Sequence, residues 1–232
     1  MCWRLAFLAL LVTGCTRPVA EPEKMIETAI AAHGGKESLA AVAMCKIQGT
    51  SSGKDIELTW EEIIHFPGRV RKTLQGKFAG QKKDNLFVQN GDRAWSKDEG
   101  RQTIAKSPNW EAGGILGQII SLPNLSELKD KKLTPIGDFK FAGRMVVGIK
   151  VDNTEIYFDK KSWLVAGNKI KLAVQPKERT VETAYFDYKD FAGAKLPQKL
   201  EIKLNGARFV TQQITKIEIL AKLDDNLFDK PN

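Results

Sequence analysis

Residues 56–66 read Ile-Glu-Leu-Thr-Trp-Glu-Glu-Ile-Ile-His-Phe. Ile56, Leu58, Trp60, Ile64 and Phe66 share one parity, and Glu57, Thr59, Glu61 and His65 the other. A period of two describes a strand with one face buried and one face wet. Glu62 alone interrupts the apolar row. Neighbouring strand residues point to opposite faces, so Glu61 and Glu62 cannot act together as paired carboxylates. The sequence places Glu62 either opposite Lys72 across a hairpin or at the mouth of a cavity.

The alternation spreads outward from this stretch. Ala43, Cys45 and Ile47 share a parity upstream, and Val70, Leu74 and Phe78 continue the pattern downstream. Turn signals separate the runs: Ser-Ser-Gly at 51–53, Pro-Gly at 67–68, Gly80, Asn-Gly at 90–91 and Glu-Gly at 99–100. Asn-Gly between alternating runs is a strong hairpin signal. A second set begins with Met145, Val147, Ile149 and Val151. It continues through a hairpin of Glu155–Phe158 with Trp163–Val165, then Leu200, Ile202 and Leu204, and ends in 209–219 after Asn205-Gly206. Roughly ten short antiparallel strands are expected.

Two helical regions precede the two sets. Pro22-Glu23-Lys24 begins the first, with proline suited to the first position and glutamate to the positive end. Ile26, Ala29, Ile30 and His33 follow at helical spacing, and Gly34-Gly35 stops it. A short helical turn is expected over Ser38–Val42. Ser107-Pro108 opens the second region, Ile115, Leu116, Ile119 and Ile120 form its apolar stripe, and Pro123 ends it. Helix, strands, helix, strands does not match a parallel α/β fold. It matches a mainly β, α+β domain: a large curved antiparallel sheet, an unclosed β-barrel, with about two helical regions covering its concave face.

Such a trough is apolar inside and of a size to take lipid. Trp60, Ile64, Phe66, Phe78, Phe158 and Phe209 are the candidate lining residues. Ile115, Leu116, Ile119 and Ile120 are the candidate lid face, with Gly113-Gly114 weakening that helix by about 1 kcal/mol per glycine.

The first residues carry a different signal. Arg4 is followed by an unbroken apolar run, Leu5–Val12, and then by Thr13, Gly14 and Cys15. This order is that of a secretory signal, and the run is far short of the roughly 20 residues that cross a membrane. Val12-Thr13-Gly14-Cys15 resembles a bacterial lipobox. The resemblance implies cleavage before Cys15 and lipid, a diacylglyceryl thioether with acylation, on that residue. Residues 1–14 are then a signal peptide, 15–22 a lipidated cysteine and tether, and 23–232 a single domain. Two prolines within 16–22 favour an extended tether of roughly 20 Å. Thr16, following the cysteine, is compatible with outer-membrane sorting in a Gram-negative host.

The 232 residues are 42% hydrophobic and 28% charged, an ordinary globular composition. The formal charge of +8 is spread along the chain, so a solvated surface explains it, with an anionic membrane as the plausible acidic partner. No nucleic-acid motif accompanies the charge. With Cys2 removed and Cys15 lipidated, Cys45 has no disulfide partner and reads as a small buried hydrophobe. Of the two histidines, His33 ends a helix as a cation or a C-cap contact, and His65 lies on a polar strand face. Neither belongs to a zinc motif, and no nucleophile elbow or phosphate loop occurs. Asp225 is expected to cap a terminal turn. No enzyme, cofactor or metal is called for, and oligomeric state is left open.

A family resemblance adds to these readings. Residues 29–42, Ala-Ile-Ala-Ala-His-Gly-Gly-Lys-Glu-Ser-Leu-Ala-Ala-Val, with Lys-Ile-Gln-Gly-Thr at 46–50, resemble the start of periplasmic proteins of the LolA/LolB-like superfamily. Residues 185–202 and 223–231 resemble its closing stretch. The resemblance implies an unclosed barrel, a helical lid and a hydrophobic cavity. It further implies lipid or lipoprotein cargo for an envelope protein facing the periplasm. The alternative is an envelope interaction or sensor module without cargo.

Overall fold

The computed structural model describes residues 21–98, 104–106, 116–127, 132–174 and 177–231. Cys15 and the lid residues 113–115, Ile115 included, lie outside these.

Two helices open the domain, α1 (Pro22–Ala32) and α2 (Gly35–Ala41). Pro22 stands in the first turn of α1 with Glu23 beside it, as the sequence predicts. His33 is the C-cap, and Gly34 follows at φ 103°. Only glycine suits that position: a Cβ there would also stand 1.9 Å from the carbonyl oxygen of Gly193.

Six strands follow: β1 (Met44–Gly53), β2 (Ile56–His65), β3 (Arg69–Phe78), β4 (Gln81–Asn90), β5 (Arg93–Asp98) and β6 (Ile104–Lys106). Then come α3 (Gly117–Ile120) and α4 (Leu122–Glu127). Pro123 does not end the helical region. It occupies the first turn of α4, where its missing N–H costs nothing. The second set of strands is β7 (Thr134–Phe141), β8 (Arg144–Val151), β9 (Thr154–Asp159), β10 (Val165–Val174) and β11 (Lys177–Phe186). It ends with β12 (Lys189–Phe191), β13 (Ala194–Leu196), β14 (Lys199–Leu204) and β15 (Ala207–Ile219). A 3-10 turn, Asp225–Phe228, closes the chain.

Thirteen strands form one antiparallel sheet in the order β6-β5-β4-β3-β2-β1-β15-β14-β11-β10-β9-β8-β7. β6 and β7 are its two edges, so the sheet is not closed into a barrel. β12 and β13 pair only with each other. The strands exceed the roughly ten expected because several are short and lack a full alternation.

The register confirms the parity read from 56–66. Ile64, Glu62, Trp60, Leu58 and Ile56 stand opposite Cys45, Ile47, Gly49, Ser51 and Gly53 of β1. On the other side they face Val70, Lys72, Leu74, Gly76 and Phe78 of β3. This is the concave face, and its apolar residues join those of the helices in one core. α1 contributes Met25, Ile26, Ala29 and Ile30, and α2 contributes Leu39. Ile119, Ile120 and Leu122 come from α3 and α4. Every member of this core lies between Met25 and Ile214. Residues 25–214 therefore carry the whole of this core.

A smaller apolar cluster lies on the convex face. Val146, Tyr157 and Ala166 are buried there beneath Phe139 and Phe141 of the edge strand β7. The 3-10 turn also packs outside, against β3 and β4. Arg69 pairs with Asp225 at 2.6 Å, Arg71 donates to the carbonyl of Leu227, and Phe228 is fully buried. Asp224, rather than Asp225, is the capping residue; its carboxylate accepts from the Asn226 N–H.

Candidate functional site

The layer between the helices and the concave sheet is the candidate site. Trp60, Ile64 and Phe158 belong to its continuous core, and Phe66 packs against that core. Leu116, Ile119 and Ile120 of the expected lid are buried in the same layer. Phe78 and Phe209 lie elsewhere. They are 37% and 40% exposed, at the end of the sheet where β1 turns into β2. Strand parity alone brought Phe209 to the candidate list. The ladder is irregular between Ile202 and Lys203, where Val210 and Arg208 are paired and Phe209 is passed over.

Close packing shapes the floor. Trp60 lies over Gly49, where a Cβ would sit 2.2 Å from its ring and 2.4 Å from the carbonyl of Gln213. Backbone cannot yield to that contact, so the large indole requires glycine opposite it. Lys72 stands beside this pair with its ammonium 5.8 Å from the indole centroid.

Polar groups interrupt the apolar layer at few points. Glu62 is only 1% exposed, beside Cys45 and with Lys72 as its cross-strand neighbour. Glu61 points outward, where it pairs with Lys46 at 2.7 Å and accepts from Gln48. The two adjacent carboxylates thus occupy opposite faces. Burial, with the Glu62 charge second, pushes the Cys45 thiol up to about 12, so it is an inert hydrophobe. Farther along the floor, Asn168 donates to the hydroxyl of the fully buried Tyr185 at 3.1 Å. The Trp60 Nε1 and Asn168 Oδ1 are buried without a partner among the described residues.

His33 fastens the helices to the sheet. It is fully buried, and its Nδ1 lies 2.6 Å from the carbonyl oxygen of Lys195. A carbonyl only accepts, so Nδ1 carries the proton. Nε2 accepts the Val165 N–H at 3.1 Å. Both nitrogens are engaged in the neutral form, and burial lowers the imidazole to about 4. The C-cap expectation for His33 is met; the cation expectation is not, because burial disfavours the charged imidazole. Tyr188 adds an edge-on ring contact at 5.6 Å and donates its hydroxyl to the Val165 carbonyl. Tyr188 and Lys195 carry no periodic or motif signal, and their role follows only from the folded chain.

Among the described residues no group of three or more His, Cys, Asp or Glu side chains could hold a metal ion. No described helix is long and apolar enough to cross a membrane.

No family model and no curated protein matches the sequence. Solved structures match its fold. A LolA-superfamily protein from Nitrosomonas europaea superposes with a TM-score of 0.60 at 10% identity, over 91% of this chain and 98% of the other. A domain named as an outer membrane lipoprotein-sorting protein, from Vibrio parahaemolyticus, does so at 0.55 and 11%, over 90% and 96%. A protein from a family of unknown function in Desulfovibrio piger gives 0.56 at 9%, over 90% and 98%. At these identities the likeness concerns the backbone alone. Together with the open antiparallel sheet and its helix-covered concave face, it shows that this chain has the LolA-like fold.

Proposed function

We propose that the chain is a lipid-anchored binding protein of the bacterial cell envelope that holds lipid or acyl chains between its concave sheet and its helices. The observation that carries this reading is the continuous apolar layer between α1–α4 and the sheet, in a fold shared with a lipoprotein-sorting domain. Ile47, Ile64, Ile119, Leu122, Ile149 and Phe158 expose at most a trace of surface. Acyl chains therefore enter only as helices move off the sheet. α3 and α4 are the movable elements, because they span four and six residues and depend on packing rather than on their own hydrogen bonds. An entering chain replaces side-chain contacts with equivalent ones, and each CH₂ moved out of water contributes about 0.8 kcal/mol.

The lipobox-like run ending at Cys15 supports an anchor facing the periplasm, on the outer membrane by the residue that follows it. One lipid chain binds reversibly and two or more hold firmly. A Cys15→Ser substitution should move the protein from the membrane to the soluble fraction. Retention of the variant in the membrane sinks the anchor. For the cargo, native mass spectrometry of residues 21–232 after incubation with fatty acid or phospholipid should show stoichiometric adducts. An interior that takes up no lipid under any condition sinks the carrier reading. Recovery of one stoichiometric protein partner without lipid favours an interaction module instead.

A further inference from the structure

Antiparallel pairing gathers the β1–β2, β3–β4 and β14–β15 turns at one end of the sheet. Phe78 and Phe209 are both at this end. β2 and β1 lie between their strands, a separation of about 14 Å in a flat sheet. The rings nevertheless meet edge to face with centroids 6.4 Å apart, because the sheet curls. Two large aromatic side chains thus form a single exposed apolar point, more than a third of each in contact with water.

Cations gather at the same end of the sheet. Lys54 lies in the β1–β2 turn, and Lys77 and Lys82 stand directly opposite one another across β3 and β4, with Lys83 next. Lys203 and Arg208 form a second directly opposed pair across β14 and β15. Like charges placed opposite one another destabilise a ladder. Both pairs lie at this one end of the sheet. The nearby acids are fewer: Asp55, Glu57, which stands opposite Lys77, Asp84, and Glu201, which lies in the field of Arg208 and Lys203. Ser52, Gly53, Lys54, Arg208 and Phe209 line an open notch of about 450 Å³ between the turns.

We propose that this end of the sheet docks on an anionic phospholipid surface. The Phe78–Phe209 point enters the interface, and the lysines and Arg208 meet the lipid phosphates around it. Aromatic rings flanked by long basic side chains suit the boundary between headgroups and acyl chains: the rings displace water, and the charged heads remain solvated. An acidic protein surface would satisfy the charges, but it offers no fluid apolar layer to receive two rings. The docking is independent of cargo uptake by the interior.

The test is co-sedimentation of residues 21–232 with vesicles of phosphatidylcholine, with and without phosphatidylglycerol. The domain should bind the anionic vesicles and lose that binding in high salt. Each cation near an anionic bilayer contributes about fivefold, so Lys54→Glu with Arg208→Glu should weaken binding by about 25-fold or more. Phe78→Ser with Phe209→Ser should weaken it while leaving its salt dependence in place. The control is Lys161→Glu with Lys189→Glu. Lys161 and Lys189 lie at the other end of the strands, and the same change of net charge there should have a much smaller effect. Circular dichroism confirms that each variant is folded. Failure of the wild type to bind, or an equal loss in the control, overturns the proposal. Fatty-acid uptake, measured separately, should survive in the tip variants; its absence from the wild type speaks against the carrier reading and not against docking.

Discussion

Acidification should unfasten the helices from the sheet through His33. In the native state the imidazole is neutral, with Nδ1 donating to Lys195 and Nε2 accepting from Val165. A proton on Nε2 would face the Val165 N–H and abolish that bond. Its folded pKa is about 4, against 6.5 for the free side chain. Between those values the unfolded chain binds more protons, so stability rises with pH there. The full contribution is present above 6.5, declines as pH falls, and is flat below about 4. The gap corresponds to about 3 kcal/mol, of which about 2.5 kcal/mol is lost by about pH 4.5. Glu61, Asp159 and Glu201 are held below the ordinary carboxylate range mainly by hydrogen bonds that outweigh burial. Their share is present above the unfolded carboxylate pKa and is lost as pH falls through the lower folded values. The assay is urea unfolding of residues 21–232 across this range, for the wild type and His33→Gln. Glutamine keeps one donor and one acceptor and does not titrate, so the carboxylate share cancels in the difference. The wild type should be more stable near neutrality, and its advantage should shrink by about 2.5 kcal/mol towards pH 4.5. Parallel pH curves refute the reasoning. So does proton NMR in which the His33 imidazole titrates near 6.5.

Three further expectations follow from the packing. Phe158→Ala, in the fully buried centre of the core, should lower the unfolding free energy by about 3–5 kcal/mol, read from chemical denaturation. Gly49→Ala should cost about 1–3 kcal/mol and alter indole fluorescence, because the added methyl meets the Trp60 ring and a carbonyl that cannot retreat. The Cys45 thiol, held up to about 12, should resist iodoacetamide at mild alkaline pH and react fully in urea; rapid native alkylation contradicts its burial.

The concave face was legible from residues 56–66 because one strand face is apolar and the other is not. The same parity failed at Phe209, where an irregular ladder passes over one residue and shifts the row. Over 145–158 it reads one face only, placing Val147, Ile149 and Phe158 in the core, because both faces of the sheet are covered. Val146 and Tyr157 are buried outside while Val147 and Phe158 are buried inside, and a strand covered on both faces loses its alternation. Glu62 breaks the apolar row; of the two positions the sequence offers, opposite Lys72 or at a cavity mouth, the register gives the first, with the side chain buried. Pro123 is ambiguous by nature, since proline ends one helix as readily as it begins the next. The His33 contacts with Val165 and Lys195 join residues remote in sequence, and no local pattern could announce them.

The place of β15 in the sheet has a bearing on how the chain reaches its native state. β15 lies between β1 and β14, so it is the last strand made that joins the first set of strands to the second. Cys45 finds its partner Ile219 only when nearly the whole polypeptide is available. A chain delivered N-terminus first therefore emerges as two half-sheets with open edges, each unable to complete the common core. Such long-range closure is slow, and it leaves strand edges exposed in the interval. During that interval the two half-sheets are not yet locked together by their common strand.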